Sequence, residues 1–193
     1  MSAAPSTQTE ASLAAAAQRG DLQAYGELAA RLRAGVVNVV YRMCGDARLA
    51  EEAAQEAFLR AWQHLGSCRP GQPFRAWIYR IAVNAALDVL RRERRLVSLE
   101  DLLGRDTGED CLPESSGGPE ETVEARQQAE KVRRAVLALP PASRSVLVLR
   151  EYGGMSYSEI ADALEIPLGT VMSRLNSARS QLRKALAGIL EEI

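Results

Sequence analysis

The chain has 193 residues, of which 47% are hydrophobic and 25% charged, and its formal net charge at pH 7 is −1. This length allows one large or two small domains with real cores, and the near-zero charge excludes a uniformly basic nucleic-acid binder. No apolar run approaches the roughly 18 residues that a membrane helix needs, and the N-terminus lacks the basic start of a signal peptide. We therefore expect a cytoplasmic protein with no direct membrane insertion.

Side chains suited to metal or acid–base chemistry are scarce. Cys44, Cys68 and Cys111 are widely spaced and form no CxxC pair, so they predict a reducing compartment and no disulfide framework. His64 is the only histidine, which leaves little for a histidine-based metal site or a Ser-His-Asp triad. No phosphate-binding loop is present either. The sequence therefore predicts no enzyme activity, no cofactor and no metal.

The N-terminal half is predicted to consist of helices. Residues 1–20 are predicted to be a tail, partly disordered. Asp21 can cap a first helix with a broad apolar face, which is expected to end at a turn near Gly45. A second helix is predicted over 49–62, and its acidic and polar surface is better suited to a basic protein partner than to DNA.

A loop and a basic helix follow. Residues 66–73 contain two prolines and two glycines and are predicted to be a loop. The long helix predicted from about 73 to 95 carries basic residues beside aromatics, a combination suited to single-stranded DNA. Phe74 and Trp77 are nevertheless better explained as core residues than as base-stacking ones. The arginines of this helix are Arg75, Arg80, Arg91, Arg92, Arg94 and Arg95.

An acidic stretch divides the chain. Between Glu100 and Glu124 there are nine acidic residues and only Arg105 as a positive charge. Such a composition predicts a linker, which we place at 97–119. No strand pattern occurs anywhere, so we predict an all-α fold of two small helical domains, 21–96 and 120–193.

The C-terminal domain contains a predicted helix-turn-helix over residues 156–186. Helices are expected over about 120–139 and 142–152, and Ser156 with Glu159 forms a capping-box pattern that starts the next helix. A turn containing Pro167 leads to the last helix. A short helix, a tight turn and a second helix would hold that last helix out for the major groove. The alternative is a plain helical hairpin with a solvated basic face.

The two halves together resemble the small extracytoplasmic-function (ECF) sigma factors of the sigma-70 family, of the RpoE-like type. GDxxxAEEAAQEAFLRAW followed by FRAWIYRIAVNAALDVLRR resembles their region 2, and LPPASRSVLVLREYGGMSYSEIADALEIPLGTVMSRLNSAR resembles their region 4. The resemblance covers about residues 21–95 and 120–186 in the right order. It implies a promoter-recognition subunit of RNA polymerase that directs transcription initiation.

The resemblance also implies partners and site residues. The partners are promoter DNA, the β′ clamp helices and β flap of core RNA polymerase, and an anti-sigma factor. Four residues would contact core polymerase: Asp46, Glu52, Gln55 and Phe58. Seven would contact the −10 element: Arg69, Arg75, Arg80, Asn84, Asp88, Arg91 and Arg92. Seven on the last helix would contact the −35 element: Thr170, Met172, Ser173, Arg174, Asn176, Ser177 and Arg179.

The chain departs from the family pattern on the last helix. Many relatives carry a basic residue where Met172 stands, and bulky or basic residues where Asn176 and Ser177 stand. We therefore expect −35 recognition to depend more on Arg174, Arg179, DNA shape and phosphate contacts.

Three other classes of protein account for part of the sequence or are disfavoured by it. A stand-alone helix-turn-helix regulator explains residues 156–186 equally well but leaves the basic helix at 74–95 without a purpose. An enzyme is disfavoured by the scarcity of His and Cys. A protein-interaction module or anti-sigma-like adaptor would not lose transcription when Arg174 and Arg91 are replaced.

Overall fold

A computed structural model describes residues 9–69, 72–102 and 123–187 of the chain. All regular elements in these ranges are helical, which confirms the predicted all-α fold. The N-terminal bundle comprises four α-helices, α1 Glu10–Gln18, α2 Leu22–Cys44, α3 Ala47–Gln63 and α4 Phe74–Leu102, with a 3-10 turn at Leu65–Ser67. The C-terminal domain comprises α5 Val123–Leu137, α6 Pro141–Glu151, α7 Tyr157–Leu164 and α8 Leu168–Ala185.

Local capping signals fix the main helices of the N-terminal bundle. The Asp21 carboxylate accepts hydrogen bonds from the backbone N–H groups of Gln23 and Ala24, both at 3.0 Å, and starts α2 as predicted. Gly45 ends α2 with a φ of 78°, in the left-handed region that favours glycine. Asp46 then caps α3, because its carboxylate accepts from the Leu49 N–H at 2.8 Å.

The core of the N-terminal bundle forms where α2, α3 and α4 pack together. Phe74 and Trp77 are 3% and 1% exposed, and their ring centroids lie 5.5 Å apart. They are therefore core residues, as predicted, and cannot stack on an unpaired base without leaving the bundle. On α3, by contrast, Leu59 and Trp62 are 59% and 38% exposed.

Two segments differ from the predicted organisation. The stretch 1–20, predicted to be a tail, contains α1, whose Leu13 and Ala17 are buried against the bundle. Gln18 fastens its end by donating to the carbonyls of Leu65 and Cys68 at 3.2 and 2.8 Å. The linker predicted at 97–119 begins within α4, which reaches Leu102; its remainder, 103–119, lies outside the described residues.

The two domains contact each other along a seam formed by Met43 and Gly45 of the bundle and Arg133, Leu137 and Arg144 of the C-terminal domain. Arg144 is 6% exposed, and its guanidinium donates to the Met43 carbonyl at 2.6 Å. Arg133 donates to the Gly45 carbonyl at 2.8 Å. Leu137 packs so closely on Gly45 that a Cβ there would overlap its methyl groups. The end of α2 is therefore the main docking point for the C-terminal domain.

Candidate nucleic-acid interface

The helix-turn-helix predicted at 156–186 is formed by α7 and α8. The Glu159 N–H donates to the Ser156 hydroxyl at 3.2 Å, and the Ser156 N–H donates to the Glu159 carboxylate at 2.7 Å. This confirms the predicted capping box, and the backbone hydrogen bond lowers the pKa of Glu159. Val171, Leu175 and Ala178 of α8 are at most 1% exposed. One face of α8 is thus fixed in the core and the other faces away from it.

The outward face of α8 carries short polar side chains and one methionine. Met172, Ser173, Asn176 and Ser177 are exposed. Hydroxyl and amide groups of this kind can hydrogen-bond base edges in a major groove.

The other three predicted −35 residues lie toward the edges of this face. Thr170 and Arg174 are half-buried, and Arg174 makes no hydrogen bond or ion pair to other described residues. Arg179 is paired with Glu151 of α6 at 2.9 Å, and this hydrogen bond raises the Arg179 pKa. Of the two arginines expected to dominate −35 recognition, Arg174 is therefore half-buried and Arg179 is paired within the chain.

The start of α4 and the loop before it line a cleft of about 780 Å³ that lies between the two domains. Arg69 and Arg80 face it from the N-terminal bundle, and Glu159, Asp162 and Glu165 face it from the helix-turn-helix. Arg80 and Glu165 form an ion pair at 3.4 Å across the cleft. The surface predicted to bind the −10 strand is thus opposite acidic side chains of the same chain.

Two further predicted −10 residues lie near this cleft. Arg75 stacks over the Tyr79 ring at 5.4 Å and its Nε donates to the Tyr79 hydroxyl at 3.3 Å. Asn84 is exposed and lines an adjoining pocket with Trp77 and Arg80.

The last predicted −10 residues form surface ion pairs further along α4. Asp88 accepts from Arg60 at 3.0 Å and from Arg91 at 3.2 Å, while Arg92 pairs with Glu52 at 3.0 Å. The side chains of Arg91 and Arg92 remain 67% and 58% exposed. Exposed ion pairs contribute at most about 1 kcal/mol, so both arginines can exchange a carboxylate for a phosphate.

The four residues predicted to contact polymerase lie on or next to α3. Gln55 is exposed and Phe58 is half-buried against the core. Asp46 is committed to the N-cap and Glu52 to ion pairs with Arg92 and, at 3.9 Å, with Arg48. The acidic character of this surface is therefore partly neutralised by neighbouring arginines.

The residues that join the domains were not predicted from the sequence. Arg133 and Arg144 carry the seam hydrogen bonds, and neither was assigned a role. The sequence around Arg144 could have indicated its role, because Arg144 is the one charged residue in the buried run 143–149. Charged residues are rarely buried unless they are paired.

The described residues hold no group of three or more His, Cys, Asp or Glu side chains arranged to bind a metal. None of the described helices is both long enough and apolar enough to cross a membrane.

A helical bundle with an arginine-bearing helix, coupled to a helix-turn-helix, defines a DNA-binding transcription protein. Comparison with known families makes this specific: residues 28–96 match Sigma-70 region 2, and residues 129–182 match Sigma-70, region 4. The chain belongs to the sigma-70 family of RNA polymerase sigma factors and to its ECF group, as the resemblance predicted.

Three curated relatives cover most of the chain. RNA polymerase sigma-H factor of Pseudomonas aeruginosa is 34% identical over 179 residues, which are 91% of this chain and 92% of the relative. ECF sigma factor SigW of Bacillus subtilis is 31% identical over 172 residues, 88% and 92% of the two chains. ECF sigma-E factor of Escherichia coli is 35% identical over 173 residues, 86% and 87% of the two.

Two solved structures share the fold. CnrH, solved in complex with the cytosolic domain of CnrY, has a TM-score of 0.69 and 26% identity, covering 94% of this chain and 99% of CnrH. The sigma factor RpoE of Bartonella quintana, solved with the anti-sigma factor NepR, has a TM-score of 0.70 and 19% identity, covering 86% and 98% of the two chains.

Proposed function

We propose that this sigma factor reads the −35 element with α8 and the −10 element with the cleft-facing surface of α4, in complex with core RNA polymerase. It acts in the cytoplasm and catalyses no reaction itself. The observation that carries the proposal is the pairing of two separate surfaces: an outward recognition-helix face and an arginine-bearing α4. A stand-alone helix-turn-helix regulator would need only the first of these.

The −35 duplex is the anchor in this mechanism. Met172, Ser173, Asn176 and Ser177 face the base edges, and Arg174 at the edge of α8 is placed for a phosphate or a guanine. Most hydrogen bonds of such a contact go to phosphates and set orientation, whereas the few base contacts carry the sequence preference.

The −10 element is opened by selective binding of an unpaired base. The loop before α4 and the cleft beside Arg69 and Arg80 accept a displaced base, while Arg91 and Arg92 bind the phosphates of the adjoining duplex. Unstacking one base costs on the order of a few kcal/mol, so a site that binds only the displaced base pulls the duplex open. Binding through several arginines is expected to weaken steeply with salt.

Core polymerase is expected to be required for tight promoter binding. Because Glu159, Asp162 and Glu165 face Arg69 and Arg80, the −10 strand and α7 compete for one surface. The domains therefore have to separate before both promoter elements can be bound. Core polymerase separates them by binding each domain at a different place: its β flap binds the C-terminal domain, and its clamp helices bind the α3 surface. The α3 contacts are Asp46, Glu52, Gln55 and Phe58. Equal affinity of free chain and holoenzyme for one promoter would contradict this step.

An anti-sigma factor is proposed as the regulator. The two similar solved structures support this proposal. RpoE of Bartonella quintana was solved with the anti-sigma factor NepR, and CnrH was solved with the cytosolic domain of CnrY. A polypeptide encoded next to this gene, with a short helical cytoplasmic domain and one membrane span, is the first candidate. It is expected to abolish run-off transcription when added to the free chain and to have no effect on housekeeping polymerase.

The decisive experiment is run-off transcription with purified core polymerase across genomic promoters. Arg174→Ala and Arg91→Ala are expected to lower promoter affinity by roughly 5- to 150-fold each, the range for a lost base or phosphate contact. Arg126→Ala is the matched control, because Arg126 is an exposed arginine of α5 outside both surfaces. Failure of the unmodified chain to bind core polymerase would refute the proposal, and so would full activity of both variants.

A further inference from the structure

Two large apolar side chains stand exposed on the recognition helix. Leu168 and Met172 are each 45% exposed and lie four residues apart on α8, so they are neighbours on one side of the helix. Neither belongs to the buried core of α8, which Val171, Leu175 and Ala178 form at 0–1% exposure. At a DNA-facing position such side chains can contact an apolar group of a base.

The surroundings of Met172 identify the surface it belongs to. At 100° per residue, Met172 and Asn176 differ by only 40° around α8, and Ser173 and Ser177 continue the exposed face. The methionine is thus set among groups that hydrogen-bond base edges. Arg179, the cation on the same side of the helix, is held by Glu151 at 2.9 Å.

A protein partner is a poor fit to this pair. A stable protein interface buries about 800 Å² on each partner, far more than two side chains provide, and the neighbouring side chains on α8 are polar. A single methyl group on a base edge needs only one apolar side chain. Among the four base pairs, the major groove displays such a group only at the C5 methyl of thymine.

We infer that Met172, supported by Leu168, reads the C5 methyl of a thymine in the −35 element. The inference rests on the proposed placement of α8 in the major groove. Methionine suits the task because its unbranched, polarizable thioether adapts to a small apolar group. Removing one methyl from such a contact is expected to weaken binding about fourfold, the effect of exposing one methylene-sized group.

Single-methyl substitution tests the inference directly. The promoter found by run-off transcription is prepared as a set of duplexes in which each −35 thymine, on either strand, is replaced in turn by deoxyuridine. Deoxyuridine pairs like thymine but lacks only the methyl group. The affinity of the unmodified holoenzyme is expected to fall about fourfold at one position, or at two adjacent ones.

Variants assign that effect to the methionine. Met172→Ala holoenzyme is expected to bind the thymine and deoxyuridine duplexes equally at the sensitive position, and Leu168→Ala to show a reduced difference. Leu59→Ala removes an exposed leucine from the N-terminal bundle and is expected to retain the full difference. Arg174→Ala is expected to lower affinity for every duplex while the thymine-to-deoxyuridine ratio stays unchanged. A ratio of affinities is insensitive to partial unfolding of a variant.

The outcomes separate the inference from the function on which it rests. Loss of promoter binding by the unmodified holoenzyme would refute the proposed function itself. Normal binding with no deoxyuridine-sensitive position, or a −35 element composed only of G·C pairs, would overturn the methyl contact alone. It would also be overturned if Met172→Ala kept the sensitivity, or if that variant weakened both duplexes equally without reducing their ratio.

Discussion

Replacing Arg144 with methionine tests whether its guanidinium ties the two domains together. The side chain is 6% exposed and donates to three backbone carbonyls: Met43 across the seam at 2.6 Å, Leu139 at 3.0 Å, and Leu137. A hydrogen bond from a charged group contributes about 1.5–3 kcal/mol net, and the desolvation of the buried cation offsets part of that sum. Methionine keeps the apolar stem but leaves the three carbonyls without this donor. We therefore expect the free energy of unfolding to fall by about 3–5 kcal/mol.

Thermal and guanidinium unfolding followed by circular dichroism measures this change. For a chain of this size 1 kcal/mol shifts Tm by about 2–4 °C, so Arg144→Met is expected to melt about 6–20 °C lower. Arg126→Met is the matched control, because Arg126 is exposed, and it is expected to stay within about 0.5 kcal/mol of the unmodified chain. An Arg144→Met variant within about 1 kcal/mol of the unmodified protein would show that the seam is not held through this side chain.

Three further predictions concern the N-terminal bundle and α5. Gly35→Ala is expected to destabilise the protein by about 1–3 kcal/mol, because the added methyl overlaps a buried tyrosine hydroxyl. In the same helix, the methyl added by Gly26→Ala meets no atom within 4 Å, so this control is expected to stabilise the protein by about 0.5–1 kcal/mol. Equal effects of the two substitutions in unfolding titrations would contradict this prediction. Burial raises the pKa of Cys44 from 9.0 to about 12. In a variant with Cys44 as its only cysteine, the reaction with Ellman's reagent at pH 8 is therefore expected to be about a thousandfold slower than that of an ordinary thiol. In denaturant the reaction is expected to reach the rate of an ordinary thiol. Hydrogen bonds from two arginines lower the pKa of Glu130 from 4.5 to about 2, so the stabilising effect of its carboxylate is present above pH 4.5 and is lost as the pH falls toward 2. The Glu130→Gln variant is therefore expected to be less stable than the unmodified chain at pH 7 and equally stable near pH 2. A difference in unfolding free energy that does not change with pH would refute the assignment.

Features encoded by neighbouring residues were predictable from the sequence. The caps at Asp21 and Ser156, the turn at Gly45 and the helix-turn-helix itself each depend on contacts within a few positions, and the structure confirms them. Phe74 and Trp77 were also placed correctly, because their spacing on a helix indicates one buried face.

Features that depend on distant contacts were not predictable. The helix α1 gives little signal, since only Leu13 and Ala17 of a mostly alanine segment are buried. The turn before α8 uses Glu165 in the left-handed region at a φ of 54°, a conformation that sequence patterns assign to glycine or asparagine. The pairing of Arg80 with Glu165 joins residues 85 positions apart, and no local pattern could reveal it.

The candidate sites divide in the same way. Motif spacing predicted which helices carry the candidate sites. It did not predict which side chains on those helices are free to bind DNA or a partner. Arg179 and Asp88 are engaged by partners on other helices, whereas Met172 stands clear of the core. Such differences arise from the packing of whole domains, which a single sequence does not display.

The chemistry of the seam determines what it costs the molecule to come apart. The acceptors that the C-terminal domain uses are the carbonyls of Met43, in the last turn of α2, and of its C-cap Gly45. Carbonyls at a helix C-terminus have no partner within their own helix. Once the domains separate, water can reach these carbonyls and the arginines that bound them, so both partners of each seam hydrogen bond can be solvated instead. Each domain can therefore keep its own core intact while the distance between the two domains changes. The same two folded domains can then exist in contact, in the free chain, and apart, when each is bound to its own promoter element.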